Sequence, residues 1–144
     1  MEERAYLCDE NNATYMLNAF LHFFQSKGIS SDSSSEGQDE MLLFSYKGLK
    51  YVFMYDKNDV NYFRILLPNI VSMKGADKER RAKCLDSVIE VNNRYKVAKF
   101  CINDDMISMV VEQFSYSLLG ISSLFERSLI LLDLVGKKFK EDNK

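Results

Sequence analysis

The side chains best suited to chemistry are few and poorly placed for it. His22 is the only histidine in 144 residues, and no Cys-x-x-Cys occurs, so zinc would lack its usual ligands. Cys8, Cys84 and Cys101 are odd in number and unrelated in spacing, which reads as reduced, buried thiols. Neither Cys84 nor Cys101 has an evident base to raise a nucleophile. Asp104 and Asp105 are neighbouring carboxylates, but they fall where a hairpin tip is expected, and acid–base work needs a shielded pocket. Asp56-Lys57-Asn58-Asp59 lacks the later oxygen ligand and glycine of a calcium loop and reads as a turn. No glycine-rich phosphate loop or dinucleotide fingerprint is present. The expectation is a non-enzymatic chain with no catalytic residue, metal or cofactor.

Charge adds little. A net charge of -2 disfavours nucleic acid as a dedicated partner. Lys78, Arg80, Arg81 and Lys83 form a basic cluster interrupted by Glu79, which reads as a solvated helix face. The start MEERAYLCDENN is acidic and polar, unlike a signal peptide, and no apolar run reaches membrane-spanning length. A cytoplasmic, soluble chain without membrane contact is expected.

These residues must be held by a small set of elements. A first helix, capped by Asn11 or Asn12, carries Ala13, Met16, Leu17, Phe20, Phe23 and Phe24 on one stripe and ends at Gly28. Asn12-Ala13-Thr14 matches a glycosylation sequon, but capping explains the asparagine without secretion. Residues 29–40, rich in Ser, Asp and Gly, read as a solvated loop or weak edge segment. Three strands follow: MLLFSY, LKYVFMYD and VNYFRILL, the last ended by Pro68. The second helix runs from Asp77 with Cys84, Leu85, Val88, Ile89, Asn92 and Tyr95 on its stripe. It leads into a hairpin in which Ala98, Phe100 and Ile102 meet Ile107, Met109 and Val111. A last helix, Ile121 to about Phe139, is more apolar than one stripe requires, and the tail EDNK is expected to fray. The order α-β-β-β-α-β-β-α gives one α+β domain over residues 1–144, with an antiparallel sheet and helices.

The meander sets the functional question. Pairing across Lys47-Gly48 puts Leu42, Phe44, Tyr46, Leu49, Tyr51, Phe53 and Tyr55 on one face, and Met41, Leu43, Val52 and Met54 on the other. An even-length second turn adds Val60 and Tyr62 to the aromatic face and Phe63 and Ile65 to its opposite. Five aromatic rings left wet would forgo on the order of 10 kcal/mol, comparable with a whole domain's stability. The chain's own helices, a second subunit or a captured peptide must cover them. Phe44, Tyr46, Tyr51, Phe53, Tyr55 and Tyr62 are therefore the candidate partner-contacting residues.

The stretch LDSVIEVNNRYKVAKFCINDDMISMVVEQ, followed by LFERSLILLDLV, resembles the YbjN family of bacterial sensory transduction regulators, whose fold is like that of type III secretion chaperones. The likeness rests on the Val91-Asn92-Asn93 helix end, the strand with its aspartate-bearing turn, and the closing helix. The upstream helix and three-strand meander follow the same order. Asp104-Asp105 stands where an Asp-Gly turn is often found, and the serine-rich segment has no counterpart. The resemblance implies a non-enzymatic bacterial binding module, cytosolic and often a homodimer, with a protein or peptide client. A small-ligand sensory module with a pocket between sheet and helix is the alternative.

Overall fold

The computed structural model describes residues 15–36, 39–56, 58–117 and 119–144. The asparagine caps and sequon near residue 12, Ala13, Cys8 and Lys57 lie outside them.

Helix α1, Tyr15–Lys27, buries Met16, Phe20, Phe23 and Phe24 as expected from their spacing. It stops where Gly28 takes φ 68°, so that Gly28 N–H donates to Gln25 O and Ile29 N–H to Phe24 O. Six antiparallel strands follow: β1 (Ser31–Glu36), β2 (Asp39–Tyr46), β3 (Leu49–Asp56), β4 (Asp59–Ser72), β5 (Ala98–Asn103) and β6 (Met106–Phe114). They lie in the order β1-β2-β3-β4-β6-β5. Helix α2, Lys78–Arg94, separates β4 from β5, and helix α3, Ile121–Asp142, closes the chain. The fold is the expected α+β arrangement in the expected order, with β1 added as an edge strand from the serine-rich segment.

Turn chemistry sets two registers. Lys47 and Gly48 both take positive φ (48° and 83°), the mirror-image turn that suits strand twist. Phe44 accordingly faces Tyr51, and Leu42 faces Phe53. Across the second hairpin, Ala98, Phe100 and Ile102 pair with Val111, Met109 and Ile107, with Asp104 at φ 55° in the turn.

The β3–β4 connection departs from expectation. The register shifts at Tyr55/Asp56, so Tyr55 meets Phe63 and Phe53 meets Ile65. An odd number of extra residues, here the three between Asp59 and Phe63, exchanges the two sides of a strand. Phe63 and Ile65, expected on the opposite face, join the aromatic core at 0% exposure, while Tyr62, paired with Phe114, turns to the other side. Pro68 does not end β4 either. The strand crosses it through a second register shift between Leu67 and Val71, with Asn69 at φ 55° and its N–H donating to Ser108 Oγ at 2.9 Å. A bulge is one of the few sheet positions a proline can occupy.

The helices lie on one side of the sheet, α1 and α3 over β4 and α3 also over β6 and β5. Phe20 is the hub of the core, stacked on Phe53 at 3.8 Å and edge-on to Phe125 at 4.6 Å. Asp77 caps α2 by accepting from Arg80 N–H at 2.8 Å. The chain end is held rather than frayed: buried Asn143 donates through N–H and Nδ2 to Phe139 O, and its Oδ1 accepts from Ser87 Oγ at 3.4 Å.

Candidate functional site: the open face of the sheet

Strand alternation sends β2–β6 side chains to two sides, and only one side is under helices. On the helix side, Phe44, Tyr51, Phe53 and Tyr55 are 0–5% exposed, and Tyr46 packs half-buried against the same cluster. The cover that the sequence demanded for these rings is thus supplied by α1 and α3. As candidate partner contacts Phe44, Tyr51, Phe53 and Tyr55 are corrected to core residues, and Tyr46 packs at the core's margin. Tyr62 is corrected differently, because the register shift at the start of β4 places it on the opposite face, where its ring meets Phe114 at 5.5 Å.

That opposite face is the candidate site. Register places Leu43, Val52, Leu66 and Val110 side by side across β2, β3, β4 and β6. Asp32 continues the row on β1, and Lys99 on β5. The next row runs Met41, Met54, Arg64 and Glu112, and beyond it Tyr62 lies beside Phe114. Leu43 is 43% and Phe114 59% exposed, while Met41, Val52, Met54 and Leu66 are half-buried. Val110, at 9% exposure, is the most buried member of the row.

Few polar groups interrupt it. Arg64 lies across the middle, 3.6 Å from Glu112 and with Nη2 2.9 Å from Met54 Sδ. Its Nε is buried without a hydrogen-bond partner. Cys101, expected to be buried, is exposed on this face; its thiol is nonetheless pushed above the ordinary range by desolvation, against the opposing pull of Arg64. It is therefore a protonated, weakly nucleophilic thiol.

Sheet edges are treated separately. At β5 the Asn92 side chain acts as a one-residue strand, its Oδ1 accepting from Phe100 N–H at 2.7 Å and its Nδ2 donating to Phe100 O at 3.2 Å. Lys99 Nζ donates to Asn92 O and Tyr95 O, at 2.6 and 2.7 Å, closing the end of α2. These contacts cap part of an edge that could otherwise recruit another strand. Sequence periodicity put Asn92 on the apolar stripe but gave no sign of this edge role. Ile89, from the same stripe, is 59% exposed.

A second, smaller apolar surface runs along α3, where Leu124, Ile130, Leu131 and Leu134 with Val97 line an open groove of about 460 Å³. The other sequence candidates do not assemble into a site. His22 lies half-buried on α1, Arg81 pairs with Asp105 at 2.8 Å, and Asp56 Oδ1 accepts from Asn58 N–H at 2.8 Å. Among the described residues no group of His, Cys, Asp and Glu is arranged to hold a metal, and no helix is long and apolar enough to cross a membrane.

Comparison with known proteins adds a fold and no activity. No family model matches the chain, and no curated protein matches it. Among solved structures the chain is similar to an uncharacterized protein from Methanothermobacter thermautotrophicus, with a TM-score of 0.61 at 14% identity over 92% of this chain and 99% of that one. At that identity the likeness is one of fold.

Proposed function

We propose that the chain is a non-enzymatic protein-binding module that works through the open face of its sheet. The supporting observation is the row Leu43-Val52-Leu66, exposed or half-buried and continued by the more buried Val110, flanked by Met41, Met54, Tyr62 and Phe114. A contiguous apolar patch rimmed by polar groups is the ordinary form of an interaction site. The homodimer and the protein or peptide client expected from the YbjN-like pattern belong to this reading, as does a bacterial, cytosolic setting. The burial of Phe44, Tyr51, Phe53 and Tyr55 supports reading the partner surface on the reverse of the aromatic face.

The test is a photo-reactive phenylalanine analogue at position 43, in native extract, against the same probe at exposed Gln25 on α1. Position 43 is expected to yield discrete protein adducts that position 25 does not. Equal, diffuse labelling at both positions would remove the reading.

A further inference from the structure

Resting on the reading above, we infer that the occupant of the open face is a second copy of this chain, packed sheet to sheet about a two-fold axis parallel to the strands and lying between β3 and β4. A two-fold interface is made by one patch meeting itself, so the patch must be self-complementary. The central row is. It reads Asp32, Leu43, Val52, Leu66, Val110, Lys99 from β1 to β5. Reversing that row onto itself sets Val52 against Leu66, Leu43 against Val110, and the acidic end against the basic end on both flanks. The Lys99 ammonium is fixed at its edge by the carbonyls of Asn92 and Tyr95, so that end keeps a localised positive charge.

The adjoining row behaves alike. Reversed, Met54 lies opposite Arg64, repeating between copies the guanidinium–sulfur contact already made within one chain, and Met41 lies opposite Glu112. Each copy also brings a guanidinium Nε that is buried and without a partner in the single chain. A face carrying both signs beside a continuous apolar row suits a copy of itself better than a strongly charged partner.

Size agrees. Six strands at about 4.8 Å spacing, β1 and β5 six residues long and β2 and β3 eight, at about 3.3 Å per residue, offer roughly 600 Å² of plane per copy, more once side-chain relief is included. Specific complexes bury about 800 Å² per partner. Twisted sheets packing face to face cross at about −30°, which keeps the central positions opposed and splays the corners. The Asn92 cap on β5 disfavours joining edge to edge there.

The experiment is light scattering after size exclusion on the full chain at about 50 µM. That concentration is set well above the micromolar range of a modest interface. The wild type is expected at twice the chain mass. Leu43→Lys, at an exposed position, is expected to run as a single chain with its cooperative thermal unfolding retained, and Leu134→Lys on α3 is expected to leave the pair intact. Asp32→Lys sets like charges at both flanks, weakening association at least several-fold in low salt, with the deficit shrinking in about 1 M salt.

A single-chain wild type would overturn the inference, and so would a pair that survives Leu43→Lys but is lost in Leu134→Lys. A pair broken by Leu43→Lys but indifferent to Asp32→Lys would overturn the two-fold arrangement. The broader reading fails separately. Photo-adducts from position 43 to other proteins with a single-chain wild type would uphold it and remove only the second copy.

Discussion

The two faces of this sheet are built from the same strands, yet they differ in kind. Beneath the helices, large rings interlock: Phe20, Phe53, Phe63 and Phe125 have centroids 3.8–6.1 Å apart, and each is fully buried. On the reverse, leucine and valine lie in one row and methionine and one arginine in the next, half-buried or exposed except at Val110. The first face is shaped for a single set of neighbours. The second holds charges of both signs among aliphatic side chains, so its cover can come from another molecule. A sheet with one covered face can stand in water, but an apolar row on the wet side then asks for a reason.

The contrast can be broken most sharply at Phe20. Phe20→Ala removes the ring that stacks on Phe53 and leaves a cavity among Phe24, Phe44 and Phe125. A loss of about 3–5 kcal/mol in urea unfolding is expected. Leu43→Ala, the same kind of truncation on the reverse face, is expected to change single-chain stability by no more than about 0.5 kcal/mol. Similar losses at both positions would mean that the reverse face is also core.

Next in size is Gly136, on the side of α3 that meets β4. A Cβ there would stand 2.6 Å from Leu67 Cδ2. The obstacle is the end of a flexible side chain rather than backbone, so Gly136→Ala is expected to destabilise by about 1–3 kcal/mol as Leu67 moves. Thermal unfolding measures it, and a gain in stability would show that α3 packs less closely on β4.

Asn92 tests the boundary between the faces. Asn92→Ala leaves Phe100 N–H and C=O without their side-chain partners. A loss of about 1–2 kcal/mol is expected, with faster aggregation on warming because the β5 edge is opened. Unchanged aggregation would deny the capping role.

How much of this could be read from the residues follows the same division. Period-two alternation and Lys47-Gly48 predict the first hairpin face for face, and Met16, Phe20, Phe23 and Phe24 announce their helix. The fold class was legible for that reason. The candidate site is half legible: alternation puts Met41, Leu43, Val52 and Met54 on one face, but hydrophobic content alone does not say which face the helices will cover. Alternation from Tyr55 puts Tyr62 on the aromatic face, but the register shift at Tyr55/Asp56 takes in three residues of β4, a feature that side-chain type does not signal. Pro68 reads as a strand end, yet Asn69 in the left-handed region and Ser108 opposite it carry the strand across. Asn143 lies in a polar tail by composition and becomes buried only because Ser87 and Phe139 receive it.

The smallest effect is at Tyr51, whose phenol lies 1% exposed in the covered face without a hydrogen-bond partner for its oxygen. Desolvation first, and then the nearby Asp133 carboxylate, raise its pKa well above the ordinary 10.0. The folded chain therefore keeps this proton where the unfolded chain has released it, so stability falls as pH rises above about 10, by up to about 1.4 kcal/mol per pH unit, and is unaffected by this group at lower pH. Tyr51→Phe removes a buried hydroxyl that has no partner and should change stability at pH 7 by less than about 1 kcal/mol, in the stabilising direction. Above pH 10 its unfolding curve should decline less steeply than the wild type's. Denaturant melts at pH 7, 9, 10 and 11 would measure the difference. Parallel declines would mean that the Tyr51 hydroxyl reaches water, and that the covered face is looser at this ring than its burial implies.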